Sequence, residues 1–458
     1  VPLWFFMRLS VNQIIDVTAG KTLTSHTMEF DSFGIDSRQI RKGGLFYALK
    51  GENTDGHLFV RDAARNGAAG AIVERGVDID TPFTMIQVDD SLRALQALAS
   101  SVRSKSKSRF IGITGSAGKT STKEFTAALL SQKYTVFKSE GNLNSITGMP
   151  LSLLAFNQQQ CGVFEVGMNQ PGEISALSMS LQPQIAVLLN VSAVHLGQFN
   201  SIEAIADEKV SLIRGMPAAG FVVYNADDPL ISERIRIGGE NQVSYGTSLE
   251  ADLQMHSILL HGVRGSSAAF RWKGKDFTFE TKLCGTGNLQ NIAAATCTSL
   301  LLDLSWDQIL DGIQQLEPFR QRGIFLEAHG IHIYDDSYNS NPRALEIALK
   351  LIEKSEAYKR KVAVLGDMLE LGPEEDRFHA IAGEQVAASG FQVLIAAGLR
   401  SRHMAAAARR AGCPEVIETA DSLEAAEMTA RIAREGDLVL VKGSRGMKME
   451  RVVEELTK

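Results

Sequence analysis

Three α/β domains in series are the architecture this sequence predicts, and three observations carry that expectation. The chain has 458 residues, which amounts to about three domains at roughly 150 residues each. Short apolar runs alternate with helical stretches, the pattern of sheets covered by helices. Two stretches look like boundaries. Residues 101–109, "SVRSKSKSR", are basic and Ser-rich and read as a hinge without core residues. A second boundary is expected near "LEPFRQRGIF". The expected segments are 7–106, 107–323 and 324–458.

In chain order, "GLFYALKG", "AARNGAAGAIVE" and "FTMIQVDD" form an α/β segment ahead of the hinge. Beyond it, "FIGIT" reads as a buried strand followed by a turn and a helix beginning near Lys119. "CGVFEVG" and "QIAVLLNVS" are further buried strands with polar residues at their C-terminal ends. In the last third, "IHIYDD", "KVAVLGD", "FQVLIAAG" and "LVLVKGS" alternate with helical stretches and predict a parallel, Rossmann-like sheet. Ligands of such sheets sit at the carboxyl ends of the strands. Here those ends carry Asp335, Asp336, Asp367 and Lys442.

Composition narrows the function classes. Hydrophobic residues at 44% and charged residues at 22% are ordinary for a globular chain. A net charge of −6 argues against a nucleic-acid partner, which needs a concentrated basic face. Cys161, Cys284, Cys297 and Cys413 are dispersed, so neither a zinc site nor a disulfide framework is indicated and a reducing cytoplasm is expected. No apolar run approaches the ~20 residues that span a bilayer. "VPLWFF" precedes Met7 and reads as an expression remnant or an upstream start, since it lacks the basic region and cleavage site of a signal peptide.

The most specific chemistry lies at Thr114, Gly115, Ser116, Ala117, Gly118, Lys119, Thr120 and Ser121. The strict P-loop pattern wants a glycine at position 113, and Ile113 stands there. The physics of a phosphate cradle survives. Gly115 and Gly118 let backbone amides curl around an anion, the helix N-terminus adds favourable potential, and Lys119 reaches outer phosphates. The Thr120 hydroxyl suits Mg²⁺. The competing interpretation is a glycine-rich turn that binds nothing. Glu165, at a strand end, fits a carboxylate near a metal, but helix caps and salt bridges use such positions too. By pattern, a histidine placed like His195 is more often a structural hydrogen-bonder than a ligand, and a helix lysine like Lys209 is usually a solvated face.

Together these residues resemble the Mur ligase family over nearly the whole chain from Met7. There the short loop T-G-x-x-G-K-[TS] is the usual form. "GNLNSITGMP", "FEVGMNQPGEI", "NVSAVHLGQF" with "EKVSLI", "YNADDP" and "GTGNLQNIAAA" follow in order. Within the family, "YDDSYNSNPRAL", "LGDMLELG" and "KGSRGMKMERVV" favour the members that add D-alanyl-D-alanine to UDP-N-acetylmuramoyl-tripeptide. The resemblance implies an ATP- and Mg²⁺-dependent amide ligase working through an acyl phosphate in cytoplasmic peptidoglycan precursor synthesis. A monomer is expected. Lys119 and Thr120 would hold phosphates and Mg²⁺. Glu165 and His195 would bind metal, and Lys209 would do so as a CO₂-derived carbamate. Asn288 and Asn291 would line the adenine pocket, with Arg322 near the ribose. Asp336, Asn339 and Asn341 would meet the nucleotide, and Asn142 and Asn144 would close over it. Lys442, Ser444 and Arg445 fall in a substrate-binding segment. Ser37 and Arg38 mark the N-terminal UDP-sugar domain. Gly287 departs from the family pattern by replacing a histidine. Two alternatives stay open: another amide ligase of this type, acting on an amino acid or folate, and a nucleotide-switched binding module.

Overall fold

The computed structural model describes residues 8–51, 54–141, 143–192, 198–235, 241–319 and 321–458. The chain divides into two compact units. One is Val1–Gln254 with Asn291–Ile309, the other Met255–Gln290 with Leu310–Lys458.

The first unit begins with a five-stranded sheet. Its strands Phe33–Gly34, Leu45–Tyr47, Gly70–Val73 and Thr84–Gln87 run parallel, and Lys21–Thr24 pairs antiparallel at the edge. The inner strands are buried throughout, as strands covered on both faces must be. Helix Val11–Thr18 is started by a reciprocal pair of hydrogen bonds between Ser10 and Gln13.

The segment read as a hinge is instead mostly helix. Ser91–Lys105 forms one helix capped by Asp90, and its buried face includes Leu95, Leu98 and Val102. Arg103 is buried as well. Its Nε donates to Leu181 O at 2.5 Å and its Nη2 to Gln182 O at 2.7 Å, and its guanidinium lies 4.0 Å from the Phe110 ring centroid. The charge pattern of "SVRSKSKSR" concealed this. An arginine can bury its stem and head together when carbonyls at a helix end need donors. Burial lowers the Arg103 pKa to about 10, so the side chain remains charged at neutral pH.

The second sheet portion of this unit runs parallel in the order Val136–Lys138, Cys161–Glu165, Arg109–Thr114, Ile185–Leu188, Phe221–Asn225, Gln242–Gly246. Arg109–Thr114 is thus flanked on both sides, with Glu165 beside Ile113 and Leu188 beside Thr114 in register. One hydrophobic core extends from Leu9 through Phe164 to Ile235, and joins the N-terminal helices to this sheet.

The second unit carries a six-stranded sheet in the order Ile324–Ala328, Ile331–Asp336, Leu438–Lys442, Lys361–Gly366, Val393–Ala397, Glu415–Thr419. All pairs are parallel except the first. Two cores, one around Leu349 and Leu365 and one around Val364 and Val441, cover it. A hairpin of Ser266–Trp272 and Lys275–Thr281 also belongs to this unit. Among the described residues, no helix is long and apolar enough to cross a membrane.

Candidate functional site

Strand Arg109–Thr114 delivers the chain into the loop, and helix Lys119–Leu130 leaves it. Gly118 sits at the N-cap with φ +83°, a conformation that favours glycine. A Cβ there would also stand 2.4 Å from Asn291 Oδ1. The loop is held from the neighbouring strand end by Asn190. Its carbonyl accepts from Ser116 N at 2.9 Å, its Oδ1 accepts from Ala117 N at 2.8 Å, and its Nδ2 donates to Ala117 O at 3.1 Å. Ser116 Oγ accepts from Ser192 N at 2.9 Å. Lys119 Nζ donates to Gly115 O at 2.8 Å. Thr114 Oγ1, at the base of the loop, is buried without a partner.

Polar side chains gather beside this loop. Thr120 Oγ1 donates to Glu165 Oε2 at 2.8 Å, and Asn144 Nδ2 donates to Glu165 Oε1 at 2.7 Å. Thr120 and Glu165 are both buried. Lys209 is buried on the last turn of helix Ile202–Val210 rather than on a solvated face. Burial pushes its ammonium pKa well below the ordinary lysine value, the nearby charge of Lys119 adds to this, and Glu208 opposes it. A lysine so placed holds its proton less firmly than a solvated one. Glu208 is engaged elsewhere: its carboxylate accepts from Gly172 N and Ile174 N, both at 2.8 Å, at the start of helix Glu173–Leu181.

The Thr120 hydroxyl and the Glu165 carboxylate, meeting at one loop, are oxygen donors of the kind a hard cation takes. Among the described residues, no three His, Cys, Asp or Glu side chains cluster as metal ligands. His195 and Asn142 lie outside the described residues. Ser121 follows Thr120 in the first turn of the helix. Asn291 lies beneath Gly118, whereas Asn288 Nδ2 donates to Cys284 O at 3.0 Å in the second unit. Gly287, which stands where the family pattern has a histidine, is exposed, and a Cβ there would meet nothing within 4 Å.

Ser37 and Arg38 make their contacts within the N-terminal segment. Asn66 Nδ2 donates to Ser37 O at 2.8 Å, and Arg38 pairs with Asp36 at 2.8 Å. The Arg38 hydrogen bond lowers the Asp36 pKa to about 2.

In the second unit the sequence-selected residues collect at the strand ends. Lys442, almost wholly buried, reaches Asp336 Oδ2 at 2.6 Å and Asn339 O at 2.8 Å. Ser444 Oγ accepts from Leu369 N at 2.8 Å and donates to Ser340 O at 3.3 Å. Asn341 Oδ1 caps helix Pro342–Glu353 through Ala344 N at 2.8 Å. Arg445 pairs with Glu450 at 2.9 Å, and Arg322 lies over the Tyr338 ring at 4.2 Å.

Sequence reasoning missed Asn190, Lys123 and Tyr338. Asn190 ends the apolar run "AVLLN", a signal it shares with many strand ends. Lys123 is fully buried and donates to Ser139 O at 2.6 Å and Gly141 O at 3.1 Å, which fixes the segment leading to Asn144. Nothing in its spacing marks it, since it looks like one more helix-surface lysine.

Known proteins resemble this chain over its whole length. Family models described as "Mur ligase family, catalytic domain", "Mur ligase middle domain" and "Mur ligase, glutamate ligase domain" match residues 29–107, 113–299 and 322–445. A UDP-N-acetylmuramoyl-tripeptide--D-alanyl-D-alanine ligase of Bacillus subtilis is 33% identical over 428 residues, 92% of this chain and 92% of that protein. Its counterpart in Escherichia coli is 31% identical over 98% of both. Among solved structures, MurF from Acinetobacter baumannii superimposes with a TM-score of 0.87 at 27% identity, over 99% of each chain. MurF ligase from Thermotoga maritima in complex with ADP gives 0.80 at 29% identity, over 93% of this chain and 97% of that one. With three family domains in order, and a Thr120–Glu165–Asn144 cluster beside the phosphate loop, this chain belongs to the Mur ligase family.

Proposed function

We propose that the chain is an ATP-dependent ligase that joins D-alanyl-D-alanine to UDP-N-acetylmuramoyl-tripeptide in cytoplasmic peptidoglycan precursor synthesis. The observation that carries this reading is the coincidence of two features. One is the phosphate loop with Thr120 and Glu165 in contact, and the other is the segment 334–345, "YDDSYNSNPRAL", whose Asp336 pairs with Lys442.

A carboxylate forms an amide only after it gains a leaving group. ATP supplies the γ-phosphoryl group that makes the tripeptide carboxylate an acyl phosphate, and Mg²⁺ neutralises charge on the phosphates. The chain's own residues bind and align. Backbone amides of Thr114 to Ser121 and the Lys119 ammonium hold the phosphate oxygens. Thr120, Glu165, His195 and a carbamate on Lys209 would hold Mg²⁺, and a carbamate replaces a repelling ammonium with the oxygen donor Mg²⁺ prefers. Asn288 and Asn291 receive adenine, Arg322 the ribose side, and Asp336, Asn339 and Asn341 the remainder of the nucleotide. Asn142 and Asn144 close over the phosphates. Lys442, Ser444 and Arg445 face the acceptor, and Ser37 and Arg38 the UDP-sugar. The D-alanyl-D-alanine amine then attacks the acyl carbon, phosphate leaves, and no protein nucleophile is needed. The corresponding segments are 7–106 for the UDP-sugar, 107–323 for ATP and 324–458 for the acceptor.

The test is phosphate release with ATP, UDP-N-acetylmuramoyl-tripeptide and D-alanyl-D-alanine, leaving out one component at a time. Release that needs all three is expected. Release without any acceptor would favour a nucleotide switch, and release with single amino acids alone would favour a different ligase.

A further inference from the structure

Lys123 is fully buried, and the ligase chemistry gives it no task. It lies one turn beyond Thr120 on helix Lys119–Leu130. Its Nζ donates to Ser139 O at 2.6 Å and to Gly141 O at 3.1 Å, and Glu124 Oε1 stands 3.3 Å away. Those carbonyls belong to the segment between strand Val136–Lys138 and helix Gly148–Ala155, where the described residues form neither helix nor strand. The segment meets Glu165 at two points. Ser139 Oγ accepts from Glu165 N at 3.2 Å, and Asn144 Nδ2 donates to Glu165 Oε1 at 2.7 Å. Just past the strand, Gly167 N donates to Asn144 O at 2.9 Å. Thr120 Oγ1 closes the circuit on Glu165 Oε2 at 2.8 Å. Neighbouring turns of one helix therefore hold the Glu165 carboxylate: Thr120 directly, and Lys123 by way of Ser139 and Asn144.

We propose that Lys123 is a positioning residue: its two backbone bonds hold Ser139 and Gly141 to the helix, and so set Asn144 where it and Thr120 grip both oxygens of Glu165. This deepens the ligase reading and rests on it, since that reading assigns Glu165 to Mg²⁺. Stability alone does not account for a lysine here. A buried ammonium beside a carboxylate adds little, because an apolar side chain of similar volume often serves as well. What lysine has and methionine lacks is a set of directed donors, here spent on two carbonyls outside regular structure. A carboxylate held in its orientation before a cation arrives loses less freedom on binding it, and the groups behind a ligand tune the ligand. The bonds of Lys123 run to carbonyls of the segment, so it acts on Glu165 through Ser139 and Asn144.

The test uses the full chain with Lys123→Met, which keeps the bulk and removes the donors. Two quantities are measured: hydrogen exchange of the ligand-free protein, and the Mg²⁺ dependence of ATP-driven phosphate release. Peptides covering 139–150 and 163–168 should exchange about tenfold faster than in wild type, with strand Ile185–Leu188 and the second unit unchanged. The Mg²⁺ concentration for half-maximal rate should rise about tenfold, while KM for the dipeptide acceptor stays within about twofold. In Asn144→Ala the further rise caused by Lys123→Met should shrink below about threefold, because both changes act on one carboxylate. Ser139→Ala removes the acceptor of Glu165 N with little change of shape, and should move both readouts the same way by about threefold. That variant carries the test if Lys123→Met does not fold. Unchanged exchange or an unchanged Mg²⁺ requirement in Lys123→Met would overturn the proposal, as would the full rise persisting in Asn144→Ala or a silent Ser139→Ala. A wild type that releases no phosphate with all three substrates would instead strike the ligase reading, and the exchange data would still decide whether Lys123 holds the segment.

Discussion

The phosphate loop of the first unit and the strand ends of the second are built on different principles. The loop is a backbone object. Its shape comes from a positive φ at Gly118, three hydrogen bonds to Asn190 and a close approach to Asn291. The second region is a side-chain object, made from Lys442 on Asp336, Arg445 on Glu450, and arginines over Tyr338. The first depends on steric space, so a single methyl group breaks it. The second depends on charge, so it yields to neutral isosteres while the fold survives. A chain that must hold a polyphosphate rigidly gains from preorganised amides, whereas groups that meet a variable substrate gain from adjustable ion pairs.

The largest expected effect breaks the backbone region. Gly118→Ala places a Cβ against Asn291 Oδ1 and forces a left-handed φ, and should lower kcat/KM by about a thousandfold. The loss should appear in ATP-dependent turnover, and Asn291→Gly in the same chain should recover part of it by removing the clash. Full activity in Gly118→Ala would mean the loop is not the phosphate site.

Lys209→Ala should reduce turnover by about a hundredfold at ambient CO₂, and added short carboxylates should restore a fraction if a carbamate normally supplies the oxygen ligand. Wild-type turnover in that variant would end the carbamate reading. Lys442→Met leaves Asp336 without its buried partner. The expected cost is about ten- to thirtyfold, mostly in KM for the dipeptide acceptor and with little change for ATP. An equal loss for both substrates would merge the two regions that the comparison separates.

The smallest effect is one of stability. Burial raises the Asp335 pKa despite two hydrogen bonds from Ser337. A carboxyl whose folded pKa is raised stabilises the fold fully below its unfolded pKa, and that contribution is lost as pH rises through the folded value. Asp335→Asn keeps the oxygen that Ser337 uses and never ionises. Its melting temperature relative to wild type should therefore climb from pH 3 to pH 7. A flat difference across that range would show that Asp335 ionises without penalty.

Much of the fold was legible because buried parallel strands announce themselves. "FIGIT", "CGVFEVG", "KVAVLGD" and "LVLVKGS" are apolar runs with a polar end, and each became a strand near the expected place. The hinge at 101–109 was misread because periodicity was overruled by charge: Leu95, Leu98 and Val102 continue a helical face into the basic stretch, and Arg103 is buried by hydrogen bonds no local pattern reveals. At the site, Thr120, Glu165 and Lys209 were legible through motif and family likeness. That Thr120 and Glu165 touch depends on a strand pairing that sets Glu165 beside Ile113, a long-range fact. Asn190, Lys123 and Tyr338 escaped notice because their contacts run to backbone carbonyls, amides and guanidinium groups distant in sequence.

The central claim is that phosphate passes to the tripeptide's carboxylate before the amide forms. The direct measurement uses UDP-N-acetylmuramoyl-tripeptide labelled with ¹⁸O in its terminal carboxylate, turned over with ATP and D-alanyl-D-alanine. The account predicts one ¹⁸O in each released phosphate, carried there by the leaving group. Phosphate free of label, with amide product formed, would contradict it.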